Sequence, residues 1–483
     1  MCRWLVVLIA VLPCHAYAVG FDDYRFLGLS PAPTEVDSLL DTVRVADAGR
    51  VVGGPRRDLL VGDPKQGWPG DEAGEAWVVA GGAPYGGARG PAFYLTPTQA
   101  HGWFGYSVAG GRDFDGDGST DLAISAIREW VPDPTTFALR QDTGAVYVFF
   151  GPFSGADLTA GDAGLVIQGP SESGFFGTGL AFVRDMDGDG LAELAIGAST
   201  ANVGQIGRGA VWLIPSAAGL TGREYVADLP TLELYSSALS ADFGGSVAEI
   251  GNFDGAAGWE LAMSASHTAQ ASVYVLGDVR GFYLANGPSS HDVADVAARY
   301  QGLVNNGEAV GRSLAGGADL DEDGLTDLVL GMVMHREAGQ FVGGAAIVPG
   351  RAGGAAPGAT FDLHAVGVMY PGAVSNDLMV GASVALPGDL NGDGHEDVAV
   401  GSPGDSVYSG GGGAVWVRLG DGTLPAPGST LPITDWDLVA GSGATHAFGA
   451  AVVGSRNLDG DPEDDLAVGY HDVATSACAV WAF

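Results

Sequence analysis

Five nine-residue acidic strings carry the clearest chemistry in this chain. They read DFDGDGSTD at Asp113–Asp121, DMDGDGLAE at Asp185–Glu193 and DLDEDGLTD at Asp319–Asp327. Two more read DLNGDGHED at Asp389–Asp397 and NLDGDPEDD at Asn457–Asp465. Oxygen side chains at alternate positions around a glycine turn suit a hard cation such as Ca²⁺. When such a backbone wraps an ion, positions 1, 3 and 5 turn inward. Position 7 offers its carbonyl and position 9 a last carboxylate. The first loop therefore presents Asp113, Asp115, Asp117, the carbonyl of Ser119, and Asp121. The second presents Asp185, Asp187, Asp189, Leu191 and Glu193. The third presents Asp319, Asp321, Asp323, Leu325 and Asp327. The fourth presents Asp389, Asn391, Asp393, His395 and Asp397, with the His395 side chain facing solvent. The fifth presents Asn457, Asp459, Asp461, Glu463 and Asp465.

A single such string would read equally well as an Asp-Gly turn of a β protein. Several carboxylates within nine residues repel one another when no cation is present, however. Five strings in phase make about five Ca²⁺ sites the expectation. A worn copy, NFDGAAGWE at Asn252–Glu260, has Ala256 where an acid belongs. The sequence leaves its occupancy open.

The loops are punctuation in a longer repeat. Their first positions, with the worn copy included, are 72, 67, 67, 70 and 68 residues apart. A fixed period makes the fold an array of one supersecondary unit. Each period opens on a Phe-Gly or Val-Gly step: Phe104-Gly105, Phe176-Gly177, Phe243-Gly244, Val310-Gly311, Val380-Gly381 and Phe448-Gly449. Position 9 of each loop then runs into an apolar stretch such as DLAIS, ELAIG or DVAVG, and a third stretch such as GAVYVFF or GAVWLIP follows. These are strand signals, and no amphipathic helix of three or more turns competes with them. A fourth strand fits at Phe93, Leu165, Thr231, Arg299 and Trp436.

A seventh unit precedes these six. It has DLLVGDP at Asp58–Pro64 and GEAWVVAGG at Gly74–Gly82, and no metal is expected in its acidic stretch Asp47–Asp58. The last unit ends on its third strand, and Arg25–Leu29 has the pattern to supply its fourth. The expectation is an all-β, seven-bladed β-propeller of four-stranded blades, its ring closed by an N-terminal strand completing the last blade.

Eighty glycines and 25 prolines fit many short strands joined by tight turns. A net charge of −37 argues against nucleic acid as a partner. The N-terminus has Arg3, an apolar run Trp4–Pro13 and Ala16-Tyr17-Ala18, which together read as a secretory signal cut after Ala18. A lipoprotein anchor at Cys14 fits less well behind Pro13. Residues 1–18 are thus expected to leave, and 19–483 to form the propeller. No later stretch is long and apolar enough to span a membrane. Cleavage leaves Cys478 as the one cysteine, so Ca²⁺ rather than a disulfide is the expected stabiliser.

Together these features resemble the FG-GAP repeat family, the propeller of integrin α-subunits and of many secreted bacterial proteins. The residues that carry the resemblance are the Phe-Gly steps, the D-x-D-G-D-G-x-x-D loops and worn Gly-Ala-Pro-like turns at Gly197, Gly401 and Gly62. The resemblance covers about residues 21–483. It implies calcium loops on one face and partner contacts on the other. The loops of that second face offer Trp68, Arg128, Trp130, Arg140 and Arg336. Loops that pack on their own blade are the plainer reading of the same residues.

No catalytic constellation is visible. There is no G-x-S-x-G elbow and no H-E-x-x-H pair. Ser107, Ser246, Ser313 and Ser383 recur three positions after the Phe or Val, as framework residues do. The sequence therefore points to a monomeric, non-enzymatic binding module for cell-surface or extracellular adhesion, recognising a protein or glycan. Two other readings stay open: an extracellular hydrolase of glycans or phospholipids, and a structural component of an envelope.

Overall fold

The computed structural model describes residues 24–25, 28–29, 43–65, 72–82, 87–88, 91–202, 208–216, 219–237, 242–266, 271–303, 309–337, 340–372, 379–404, 412–441, 447–456, 458–472 and 477–482. The expected leader 1–18 and Cys14 lie outside them, as do Trp68 and Asn457.

The chain is an all-β propeller. Among the described residues, six sheets each contain a four-stranded antiparallel meander taken in chain order, the first from Arg44–Gly49, Asp58–Asp63, Glu75–Val79 and Phe93–Thr96, and four of them gain a fifth, parallel strand. The second unit uses Phe104–Arg112, Asp121–Ala126, Ala145–Phe149 and Leu165–Gln168. The sixth uses Ser383–Gly388, Asp397–Ser402, Ala414–Arg418 and Leu438–Gly441. Ala451–Arg456, Asp464–Asp472 and Ala477–Ala482 form a last three-strand meander. Gly28 and Leu29 pair antiparallel with Cys478 and Ala477 of its third strand.

Apolar cores lie between neighbouring units. One holds Phe176, Leu180, Trp212 and Ile214 against Phe114, Val146 and Ile167. The first and last units also meet: Val43, Val61 and Trp77 pack with Leu458 and Ala467. There Ser455 Oγ donates to Asp47 Oδ2 at 3.2 Å and Gly82 N donates to Leu458 O at 2.8 Å.

The Phe-Gly step has a physical reason. The ring is the fully buried residue, as at Phe104, Phe176 and Phe243. The glycine that follows takes a left-handed φ, +88° at Gly244 and +85° at Gly449. Its carbonyl then meets the second strand of the preceding unit. A Cβ on Gly197 would sit 1.9 Å from Gly244 O, and one on Gly401 2.1 Å from Gly449 O. The worn Gly-Ala-Pro glycines are therefore inter-blade contact points. Two of the recurring serines serve the same seam. Ser313 Oγ donates to Gly381 O at 3.1 Å, and Ser383 Oγ to Gly449 O at 2.9 Å.

Candidate metal loops

Each acidic loop is a hairpin turn between a first and a second strand. Position 1 folds it by accepting from the turn's own backbone. Asp113 accepts from Gly116 N at 2.7 Å and Gly118 N at 2.9 Å, and Asp389 accepts from Gly392 N at 2.7 Å and Gly394 N at 2.7 Å. Asp115 and Asp117 each accept from the amide two residues on. The glycines at positions 4 and 6 carry positive φ, +85° at Gly116 and +87° at Gly118. The loop therefore places its carboxylates on the concave side.

Position 9 does a second job. In three of the loops its carboxylate is buried at the strand's first residue and ties the loop to the third strand's exit. Asp121 accepts from Phe114 N at 2.7 Å and Gly151 N at 2.9 Å. Asp327 accepts from Leu320 N at 2.7 Å and Gly350 N at 2.8 Å. Asp397 accepts from Leu390 N at 2.8 Å and Gly420 N at 2.7 Å. The first unit keeps this staple without the loop: Asp58 accepts from Val51 N at 2.7 Å, Val52 N at 2.9 Å and Gly81 N at 2.9 Å. Sequence reasoning treated position 9 only as an ion ligand. Its recurrence in the first unit, where the middle acids are gone, was the available signal for a structural role.

Among the described residues, four groups of carboxylates converge to within 4.8 Å. They are Asp185, Asp187, Asp189 and Glu193; Asp113, Asp115 and Asp121; Asp319, Asp321 and Asp327; and Asp459, Asp461 and Asp465. Asp117 and Asp323 stand outside their groups, and the Asp389–Asp397 loop is not among the four. There Asn391 Nδ2 donates to Asp393 Oδ2 at 2.9 Å, so the amide holds a carboxylate that would face an ion.

Two observations fit a cation in the converging groups. Among the described residues, Glu193 Oε2 and Asp321 Oδ1 are buried oxygens with no hydrogen-bond donor. A buried unpaired carboxylate oxygen is costly, and a cation relieves that cost. Burial also pushes the position-9 acids well up. Asp121 and Asp397 rise to about 6, and Glu193, Asp327 and Asp465 to about 7. Burial and neighbouring Asp459 likewise raise Asp461 to about 6. A divalent ion in these loops would supply the positive charge that keeps these groups ionised. The loop carboxylates together with the carbonyls of Ser119, Leu191, Leu325 and Glu463 are the oxygens that would hold it.

The first unit carries a fixed cation instead. Arg57 Nε lies 2.5 Å from Asp47 Oδ2. In the worn loop, Glu260 is raised to about 7, first by burial, and its Oε1 has no donor among the described residues.

His395 departs from expectation. Its side chain does not simply face solvent. Its Nδ1 lies 2.7 Å from Oε1 of Glu322, in the preceding unit's loop, and that bond raises the imidazole's pKa.

The proposed partner residues are mostly tied to their own blades. Arg128 pairs with Asp142 at 3.1 Å and lies 5.0 Å over the Trp103 ring. Arg140 donates to Pro170 O at 2.6 Å. Arg336 stacks on Phe341 at 3.7 Å. Trp130 is the exception, at 43% exposure. Among the described residues, no helix is long and apolar enough to cross a membrane.

With this geometry in view, the comparisons agree on kind. The FG-GAP repeat profile matches residues 104–149, 176–214 and 380–417. The chain carries FG-GAP repeats and is integrin-α-like. It is 35% identical over 154 residues to human integrin alpha-7, covering 32% of this chain and 11% of that protein. It is 29% identical over 178 residues to Drosophila melanogaster integrin alpha-PS2, covering 34% and 11%. Mouse integrin alpha-IIb matches at 27% over 246 residues, covering 49% and 20%. The chain thus spans a fifth or less of the length of these relatives.

Proposed function

We propose that this protein is an exported, calcium-stabilised, monomeric binding module, working without catalysis in extracellular or cell-surface adhesion. In this reading a leader is cut after Ala18, and residues 19–483 form one domain. The propeller has seven blades, the last completed by the N-terminal strand, and its ligand is a protein or glycan.

The convergence of carboxylates in four in-phase loops carries the calcium reading, supported by the donorless oxygens of Glu193 and Asp321. The pairing of Gly28–Leu29 with the last third strand, and the packing of Trp77 with Leu458, support ring closure. The likeness to integrin α-subunits points to adhesion. Of the described candidates Arg128, Trp130, Arg140 and Arg336, Trp130 is the one left most available for a ligand.

A pull-down from intact cells with the purified protein, in calcium and in EGTA, tests this reading. A protein or glycan retained in calcium and lost in EGTA is the expected result. Turnover of an ester or polysaccharide by the same preparation would contradict it.

A further inference from the structure

Neighbouring units meet through cores built on one plan, and the core between the fifth and sixth units departs from it in its chemistry. The core between the fourth and fifth units shows the plan. Tyr300 of the outer strand Ala298–Gln301 lies there with Val348, and Val366 packs against that core. The Tyr300 hydroxyl donates to Gly354 O at 2.8 Å, so the polar group among these three side chains has its acceptor. Other buried rings are matched in the same way. Trp212 Nε1 donates to Glu233 Oε2 at 2.9 Å, and the Tyr147 hydroxyl donates to Glu129.

One unit later each of the three residues has a counterpart. Tyr370 stands opposite Ala345, one place before the end of the outer strand Val368–Pro371. Tyr300 stands likewise opposite Val273, one place before the end of its own strand. Arg418 ends its third strand opposite Val398, as Val348 ends its strand opposite Leu328. Trp436 lies two residues ahead of the outer strand Leu438–Gly441, as Val366 lies two ahead of Val368. A tyrosine and two valines have thus become a tyrosine, an arginine and a tryptophan. Tyr370 and Trp436 belong to one core, their rings edge to face with centroids 5.2 Å apart. Arg418 follows Trp416 of that core by two positions, so both side chains leave the same face of the strand.

These side chains carry three buried polar atoms with no partner among the described residues: the Tyr370 hydroxyl, Trp436 Nε1 and Arg418 Nη1. Tyr370 is 2% exposed and Trp436 7%. The contacts of the Arg418 guanidinium use its other terminal nitrogen. Nη2 donates to Thr423 O at 2.9 Å and lies 3.8 Å from Asp421 Oδ1. The Asp421 side chain is 69% exposed and already accepts from Thr423 N and Oγ1, at 3.1 and 2.7 Å. Solvent screens its charge, and Nη1 is left inside without a counter-charge. Burial raises the pKa of the Tyr370 hydroxyl and the Arg418 charge opposes that rise, so the hydroxyl is protonated and within the field of the guanidinium.

We propose that Tyr370, Arg418 and Trp436 form a binding site for a small monovalent inorganic anion of halide size. Each residue contributes one donor. The indole and guanidinium N–H groups can only donate. A water molecule has two acceptor sites and would be filled by those two. It could then meet Tyr370 only as a donor, which leaves the tyrosine's own hydrogen without an acceptor. One anion accepts from all three, and the single buried cation sets its charge at minus one. The chain as a whole, at a net charge of −37, repels anions, so a response to halide marks a local site.

The test uses the purified protein with isotope-labelled tryptophan side chains, in calcium gluconate, with sodium bromide replacing sodium gluconate at constant ionic strength. The Trp436 Nε1–H resonance, assigned by its loss in Trp436→Phe, is expected to move along a saturable curve. Crystals soaked in the same bromide should show an anomalous peak within hydrogen-bonding reach of the Tyr370 hydroxyl, Arg418 Nη1 and Trp436 Nε1. Tyr370→Phe removes one donor and keeps the ring, and should weaken bromide binding about tenfold or more. Arg418→Val gives this core the residue its neighbour has, and should abolish the response with the folded circular dichroism spectrum retained. Tyr300→Phe, at the matching place one unit earlier, should leave bromide affinity unchanged. A resonance indifferent to bromide overturns the proposal. So does one that moves only in molar bromide, or that moves equally in Tyr370→Phe and Arg418→Val. Density for a water at that point, with no anomalous signal, overturns it as well.

Discussion

At the residue scale, two kinds of carboxylate stand at these turns: those that converge on one another and those that hold backbone amides. Asp187 converges with Asp185, Asp189 and Glu193, and among the described residues its carboxylate accepts only within its own turn. Asp58 instead holds three backbone amides in a unit without the middle acids. Asp187→Asn should therefore destabilise only when calcium is present. At roughly 1 mM Ca²⁺ and a Kd of about 0.1 mM the loss is about 1.4 kcal/mol. In EGTA the same substitution relieves like-charge repulsion and should be neutral or slightly stabilising. Asp58→Asn should cost about 2 kcal/mol with or without calcium, because it disrupts charge-assisted hydrogen bonds. Chemical denaturation of both variants in the two buffers separates the roles. Equal losses for Asp187→Asn in both buffers would count against an ion there.

At the element scale, each hairpin buries its position-9 acid where the loop enters the second strand. Burial raises the folded-state pKa of Glu193, Asp327 and Asp465 to about 7, against a usual carboxylate value near 4. The folded protein without calcium thus retains protons that the unfolded chain releases. That stability is fully present below pH of about 4 and is lost as pH rises through about 6 to 7. In EGTA the melting temperature should fall between pH 5 and pH 8. Saturating calcium should flatten or reverse the slope, since the ion favours the ionised form. Parallel slopes in the two buffers would contradict this. A packing prediction belongs here too. Gly197→Ala places a methyl 1.9 Å from Gly244 O, and should cost about 3 kcal/mol whatever the calcium level.

Much of this scale was legible beforehand. Strand starts at Phe104, Phe176 and Phe243 follow from an aromatic before a glycine, and the second strands that start at Asp121, Glu193, Asp327 and Asp397 begin at the loops' last acids. The His395–Glu322 bond and the parallel fifth strands were not legible. Each depends on contacts between segments far apart in sequence, and no local period encodes such contacts. Those fifth strands are also too short and polar to stand out. Gly222–Tyr225 and Ser289–Asp292 carry no strand pattern. Arg128 and Arg140 looked available for a ligand because a sequence does not show that Trp103, Asp142 and Pro170 engage them.

At the scale of the whole molecule, blades stacked through glycine seams and apolar cores leave the hairpin loops as separate, repeated acidic turns. Five independent sites at about 1.4 kcal/mol each would contribute about 7 kcal/mol, comparable to the stability of a whole domain. Calcium titration of the purified protein by calorimetry, paired with melting curves in calcium and in EGTA, tests the account most directly. About five bound ions and a fall in melting temperature on the order of 10 °C on chelation are predicted. A protein that binds no calcium and melts at the same temperature in EGTA would contradict it.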